Sequence, residues 1–352
     1  MPAEVHYAGG SSGFPPYGPA DAGPTVTHMR RITCREFGPP DQLTLEEGPD
    51  PRPGPGEVLV QVRAAGVSFV DGLIAGGKYQ LKPPLPFTPG LVAAGEVLAT
   101  GGGVTGLRAG DRVVGSTFGM GGYASHWVLP AVAAVPLPDA VTYEVAATAA
   151  ESYATVLFAL TRRATLQRGE WVLVLGAGGG IGLAAVDVAS TLGGNVIAAA
   201  SSRAKRAAAL SAGAQSAIDY GSEDLKARVR EITGAGADLV IDPVGDPFAE
   251  PALRSLRGFG RYLVVGFTGG SIPRLPLNRV LLDNRSIVGV DWGAWSRADP
   301  AGNHALISDV LARIAAGELH PVAPESYPLE RAAQALSALA RRQVAGKLAL
   351  LP

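Results

Sequence analysis

Val172-Leu173-Val174-Leu175-Gly176-Ala177-Gly178-Gly179-Gly180-Ile181-Gly182-Leu183 is the stretch that decides the fold. Its four leading apolar residues read as a buried strand, the glycines as a tight turn, and the residues from Gly180 on as the start of a helix. Ala177, Gly179 and Gly182 fall at the spacing of the dinucleotide fingerprint, with alanine at its first glycine. Glycines at such a turn let a pyrophosphate approach the helix N–H groups, and Gly182 permits close packing of helix on strand. The same glycines without a ligand would be a plain turn. A strand before them and a helix after them favour the cofactor reading.

Working outward, strand candidates at 171–175, 195–200, 239–242, 261–266 and 287–290 alternate with helical stretches at 180–192, 204–212, 223–233 and 248–256. This order predicts a doubly wound parallel sheet. Upstream, 143–160 is Ala-rich without Pro or Gly and reads as a helix. Earlier still the period is two. Residues 57–63 alternate after the Pro/Gly-rich loop 49–56, and strand candidates follow at 92–99 and 112–114. Short strands at close spacing predict a barrel-like all-β unit from about 30 to 135. The last stretch holds two amphipathic helices, 303–316 and 329–341, and ends in Lys347-Leu348-Ala349-Leu350, a tail able to return to the first unit. Residues 1–28 are rich in Gly, Pro and Ser with almost nothing to bury; they are expected to be a disordered extension, with Met29 opening the fold.

The bulk composition excludes several classes. With 17% charged residues and a net charge of −1, the chain has no basic footprint for nucleic acid or an anionic membrane. No apolar run reaches the ~18 residues of a membrane helix. The N-terminus has neither a basic region nor an apolar core of a signal peptide, so a cytoplasmic location is expected. Cys34 is the one cysteine, which rules out an intrachain disulfide. With five scattered histidines (His6, His28, His126, His304, His320) and no HExxH or CxxC, a catalytic zinc is not expected. No nucleophile elbow or P-loop is present either, so the chemistry is expected to rest on a cofactor.

Which dinucleotide is read from the end of the next strand. NAD enzymes usually hold the ribose 2′-OH there with Asp or Glu, about 20 residues past the fingerprint. Here the place reads Ala200-Ser201-Ser202-Arg203-Ala204-Lys205-Arg206, hydroxyls and cations without an acid. Ser201, Ser202 and Lys205 suit a 2′-phosphate, which a carboxylate would repel, so NADPH is expected over NADH. The competing reading makes Arg203, Lys205 and Arg206 a solvated helix face.

These residues resemble the zinc-independent quinone oxidoreductases of the medium-chain dehydrogenase/reductase superfamily. The resemblance spans Met29 to Pro352. It rests on Gly54-Pro55-Gly56-Glu57-Val58-Leu59-Val60, Ala65-Gly66-Val67-Ser68-Phe69-Val70-Asp71, Pro83-Pro84-Leu85-Pro86-Phe87-Thr88-Pro89-Gly90, Gly110-Asp111-Arg112-Val113, the glycine loop and Gly346-Lys347. It implies an α/β fold: a Rossmann doubly wound parallel sheet (153–289) inserted into a GroES-like, partly open β-barrel catalytic domain (29–152 and 290–352). The active site would lie in the cleft between them, and homodimers form through edge strands of the cofactor sheets.

Carried over by position, Gly179, Gly180 and Ile181 face the pyrophosphate, and Lys347 belongs to the cofactor site. Ser202, Lys205 and Tyr220 line the 2′-phosphate pocket. Thr155 and Phe267 hold the nicotinamide half, and Ser68 and Tyr79 stand near its reactive face. Zinc relatives place Cys where Ser68 stands and His where Leu91 stands. Many quinone reductases carry Asn and Tyr where this chain has Ser68 and Leu73, which leaves the acceptor open. Plainer readings stand beside these. Tyr79 would cap the barrel, Thr155 would bond a preceding carbonyl, and Asp71 would accept backbone N–H groups. Trp292 and Trp295 would pack in the core or a dimer rather than wall a flat substrate.

The expected activity is metal-free hydride transfer from NADPH to a quinone. An enone acceptor on the same fold, and a noncatalytic NADPH-binding protein of the crystallin-like kind, are the alternatives.

Overall fold

The computed structural model describes residues 28–352, so the extension expected over 1–28 lies, but for His28, outside the described residues. Six strands form one wholly parallel sheet in the spatial order Ser216–Ile218, Asn195–Ala199, Trp171–Leu175, Ala237–Asp242, Leu256–Val264, Ser286–Gly289. The chain enters at the centre with Trp171–Leu175, builds out to one edge, then crosses back to build the other half. That reversal leaves a crevice at the carboxyl end of Trp171–Leu175, where the glycine loop begins.

The strands are apolar throughout because helices cover both faces. Val172, Val174, Val196 and Ala198 belong to the core shared with helices Gly180–Thr191 and Tyr143–Phe158. Leu173, Leu175, Ile197 and Tyr262 point the other way, to the core under helices Leu225–Thr233 and Ala249–Ser255. Successive side chains divide between the two layers as the strand period of two requires.

A second, seven-stranded sheet is built on Glu57–Val67. Residues 57–61 of that strand pair with His126–Pro130, and residues 65–67 pair with the C-terminal strand Leu348–Leu351. Val92–Thr100 runs along the other edge, followed by Arg112–Ser116 and Ala134–Pro136, while Glu325–Pro328 lies beyond the C-terminal strand. Gly66 is dictated by packing: a Cβ there would lie 2.2 Å from the Ala147 carbonyl of helix Tyr143–Phe158. That helix packs on Glu57–Val67 with one side and on helix Gly180–Thr191 with the other. It therefore belongs to both units, and the division at 152/153 runs through its middle.

Several elements differ from the sequence expectation, each for a local reason. Glu57–Val67 runs past residue 63 because Ala64, Ala65 and Val67 are fully buried by the C-terminal strand and the helix. Leu256–Val264 starts five residues before 261 through an irregular segment in which Phe259 adopts φ 61°, a backbone shape without a sequence signature. Ser216–Ile218 is a three-residue edge strand too short to show a period. The helices Leu277–Leu282 and Trp292–Ala298, of six and seven residues, are likewise below the length at which periodicity is legible.

Candidate active site

Helix Gly180–Thr191 begins at the glycine loop with no side chain capping its N-terminus. Gly179 is its N-cap, and the N–H groups of the first turn have no partner within the helix. The glycines differ in what they permit. A Cβ at Gly182 would lie 2.2 Å from the Gly176 carbonyl, and one at Gly178 2.4 Å from the Lys205 Cβ, so both are fixed by packing. A Cβ at Gly180 would meet the Lys347 Cδ at 2.3 Å. At Gly179 a Cβ would touch only the Gly176 carbonyl, at 3.4 Å, which leaves bare backbone toward the crevice. Unpaired N–H groups, a helix dipole and an open approach make an anion cradle that a dinucleotide pyrophosphate fits.

One corner of this cradle gathers cations and hydroxyls. Ser202 caps helix Arg203–Ser211, its Oγ accepting from the Lys205 N–H at 3.3 Å. The Lys205 ammonium reaches across the glycine loop and donates to the Arg342 carbonyl at 2.9 Å. Burial, and the neighbouring Arg342, lower its proton affinity. Arg342 follows helix Ala332–Ala340 and donates from its guanidinium to the Thr268 and Gly269 carbonyls at 2.9 Å each. Tyr220 stacks obliquely on Phe248, ring centroids 4.0 Å apart. Burial raises its hydroxyl pKa while a hydrogen bond with Ser201 and the charge of Arg342 oppose the rise. Arg206 is engaged elsewhere, with Asp219 at 2.8 Å, so that acid is neutralised beside the corner. Lys205 and Tyr220 each lie beside Arg342, a residue the sequence did not single out.

The opposite wall comes from the β-rich unit. Ser68 caps helix Phe69–Ala75 in a reciprocal box: its Oγ accepts from the Asp71 N–H at 3.2 Å, and the Asp71 carboxylate accepts from the Ser68 N–H at 2.9 Å. Asp71 also accepts from the Leu91 N–H at 3.2 Å and the Tyr123 hydroxyl at 2.9 Å. Its role is thus to receive backbone and phenol donors. Burial raises its carboxyl pKa, against the pull of these donors and of Lys347. Tyr79, partly buried, has its hydroxyl pKa raised by burial and further by Asp291 and Glu151, with Arg297 opposing.

Two residues of helix Tyr143–Phe158 complete the wall. Thr155 is buried and its Oγ1 donates to the Glu151 carbonyl at 2.8 Å, the back-bond anticipated as its plainer use. The Glu151 side chain stands near Asp71, Tyr79, Tyr123 and Lys347; burial raises its carboxyl pKa, Lys347 opposes and Asp71 adds. Phe267 sits at the far lip, partly exposed, over Gly245. Trp292 is buried in the core, and Trp295 stacks on Phe158 at 4.9 Å with the Arg162 guanidinium 4.6 Å from its ring centroid, so both tryptophans are engaged in packing.

Sequence reasoning missed Glu151, Tyr123 and Arg342. A carboxylate in the apolar middle of an Ala-rich helix was a usable signal for Glu151. The other two carried none, for they reach the site through folds of the chain after Gly122 and Arg341.

Residues 54–139 match the alcohol dehydrogenase GroES-like domain, and residues 180–308 the zinc-binding dehydrogenase family. The chain is 38% identical to quinone oxidoreductase-like protein 2 of Rattus norvegicus, over 92% of each. Among solved structures, it is similar to mycobacterial Rv1454c complexed with NADPH (TM-score 0.85, 32% identity, 92% of this chain and 100% of that one). It is also similar to Escherichia coli quinone oxidoreductase complexed with NADPH (TM-score 0.83, 31% identity, 92% and 100%). Cys34 is buried against the Glu36 and Ala75 carbonyls, and among the described residues no three His, Cys, Asp or Glu side chains converge as a metal site. No helix of the described residues is long and apolar enough to cross a membrane.

Proposed function

We propose that this chain, which belongs to the quinone oxidoreductase family of the medium-chain dehydrogenase/reductase superfamily, is an NADPH-dependent reductase of quinones that uses no metal. The observation that carries the cofactor choice is that, past the end of strand Asn195–Ala199, Lys205 bonds the Arg342 carbonyl while Tyr220, bonded to Ser201, feels the Arg342 charge. Two cations and two hydroxyls recognise a 2′-phosphate, and Ser202 adds a third hydroxyl. Gly179, Gly180 and Ile181, with Lys347 against Gly180, hold the pyrophosphate. Thr155 and Phe267 border the nicotinamide half. Bound there, the dinucleotide supplies a hydride.

The chain's own part is to orient and to exclude water. Ser68, its Oγ already accepting from Asp71, keeps its O–H free to donate toward the acceptor. Tyr79, with its pKa raised, stays protonated at working pH and donates a hydrogen bond to the acceptor oxygen as charge develops there. The active form is a homodimer. Leu277, Leu281 and Leu282 are 71%, 76% and 69% exposed beside the open edge strand Ser286–Gly289, an apolar edge that a second copy would cover.

The test is NADPH oxidation followed by absorbance against a panel of quinones and enones, with and without a chelator. Turnover with quinones that the chelator leaves untouched supports the proposal. Turnover with enones alone reassigns the acceptor, and binding without turnover by any acceptor reassigns the chain as a carrier of the dinucleotide.

A further inference from the structure

Around Glu151, helix Tyr143–Phe158 settles its polar side chains. Ser152 Oγ donates to the Thr148 and Ala149 carbonyls, the Tyr153 hydroxyl to Asp187 at 2.8 Å, and Thr155 to the Glu151 carbonyl. The Glu151 carboxyl is the exception: among the described residues it has no hydrogen-bond partner. Although the residue keeps some solvent access, its carboxyl is enclosed enough for burial to be the leading cause of its raised pKa. An enclosed carboxyl without a hydrogen bond, in a helix whose other polar side chains are bonded, is a group kept for something that arrives.

Its surroundings come from three separate elements. Glu151 lies one helical turn past Ala147, whose carbonyl packs on Gly66, two residues before Ser68. The charges that act on it come from Asp71, which is bonded to Tyr123, and from Lys347 of the tail. Its own charge acts on Tyr79 and Tyr123. Lys347 is placed twice over: its stem lies against Gly180, and it directly precedes Leu348, which pairs with Val67 next to Ser68. The other acids beside this helix are spoken for, Asp187 by Tyr153 and the His320 N–H, and Glu96 by Tyr143 and Arg63.

We propose that Glu151 is the proton donor of the reductase, delivering its carboxyl proton to the oxygen of the reduced acceptor. The proposal rests on the reading given under Proposed function. In the balanced step the acceptor gains a hydride from the bound dihydronicotinamide, which is oxidised by two electrons, and is left with an anionic oxygen. The Glu151 O–H bond breaks as the acceptor O–H bond forms, and the carboxylate recovers a proton from water. An ionised Glu151 would repel that oxygen. Burial and Asp71 favour the neutral acid, while Lys347 keeps it from becoming too weak to give the proton up. Tyr79 and Tyr123 hold their protons more firmly, Tyr123 being committed to Asp71.

The test pairs Glu151→Gln, which keeps shape and loses the proton, with Glu151→Asp, which keeps the acid. In infrared titration of the unliganded protein, wild type is expected to show a carboxyl component that titrates above the ordinary carboxyl range and that is lost from the Glu151→Gln spectrum, the Asp71 component remaining. In the quinone assay, wild-type kcat is expected to fall as pH rises through the Glu151 titration. Glu151→Gln should lose about 100-fold in kcat and that pH limb, with acceptor KM and NADPH affinity unchanged, while Glu151→Asp recovers part of the rate. An active wild type with an unaltered rate and pH profile in Glu151→Gln, or no such component in wild type, overturns this proposal alone. A wild type inactive with every acceptor overturns the reductase reading and this proposal with it.

Discussion

The Gly346 N–H donates to the Gly178 carbonyl at 3.0 Å, and two residues later Leu348 pairs with Val67. A single turn of the tail therefore ties the glycine loop of one unit to the strand that delivers Ser68 in the other. Lys347, between those two anchors, is carried into the cleft by backbone pairing rather than by a motif of its own.

The glycines of the loop should separate folding from binding. Gly182→Ala forces a Cβ to 2.2 Å from the Gly176 carbonyl and is expected to lower the unfolding midpoint in denaturant, at a cost of about 1–3 kcal/mol for overpacking. Gly179→Ala meets only an ordinary contact at 3.4 Å. It should fold as wild type yet bind NADPH at least ~10-fold more weakly, because the methyl stands where the phosphate approaches. Denaturant unfolding checks the first and calorimetric titration with NADPH the second.

At the cationic corner, Lys205→Ala and Arg342→Ala are each expected to weaken NADPH binding by about 10-fold, the scale of one charge-assisted hydrogen bond, and to leave NADH binding unchanged. Equal losses for the two cofactors would place these cations away from the 2′-phosphate.

Much of this was legible before the structure. The fingerprint Ala177-x-Gly179-x-x-Gly182, with its strand and helix, announced the parallel sheet, because a turn that must hug both a strand and an anion admits few residues. The site was legible only where it coincides with such motifs. Ser68, Gly179 and Lys205 sit in short stretches whose local geometry fixes their neighbours. Glu151 and Tyr123 come from a helix and a loop that only the packing of the β-rich unit on the shared helix brings near each other, and Arg342 reaches the opposite corner from the segment after helix Ala332–Ala340. The wrong length for strand Leu256–Val264 has a similar origin. Its irregular start around Phe259 is held by the Phe259 N–H donating to the Asp283 carbonyl, a contact no periodicity reports.

The two enclosed acids set a pH dependence of stability. Folded-state pKa values of Asp71 and Glu151 lie above the ordinary carboxyl range, so between the ordinary and the raised values the folded chain keeps protons that the unfolded chain has released. Stability from these groups is fully present below the ordinary carboxyl pKa and declines as pH rises through the raised values. Chemical unfolding as a function of pH should show this decline in wild type and a shallower one in Glu151→Gln. An identical slope would remove Glu151 from the explanation.

The apolar edge at Leu277, Leu281 and Leu282 is expected to hold two copies together. Sedimentation of the wild-type protein should give a dimer, and Leu281→Glu should shift it to monomer by introducing a charge into a surface that is 76% exposed in the single chain. A wild-type monomer would show that the edge has another purpose.

The most direct single measurement is kcat/KM for NADPH against NADH with one quinone acceptor. A preference for NADPH of at least ~10-fold, one charge-assisted contact's worth, is expected from the meeting of Lys205 and Arg342 without a free carboxylate. Equal efficiency, or a preference for NADH, would contradict the assignment of that corner and with it the reading of the chain as an NADPH-dependent quinone reductase.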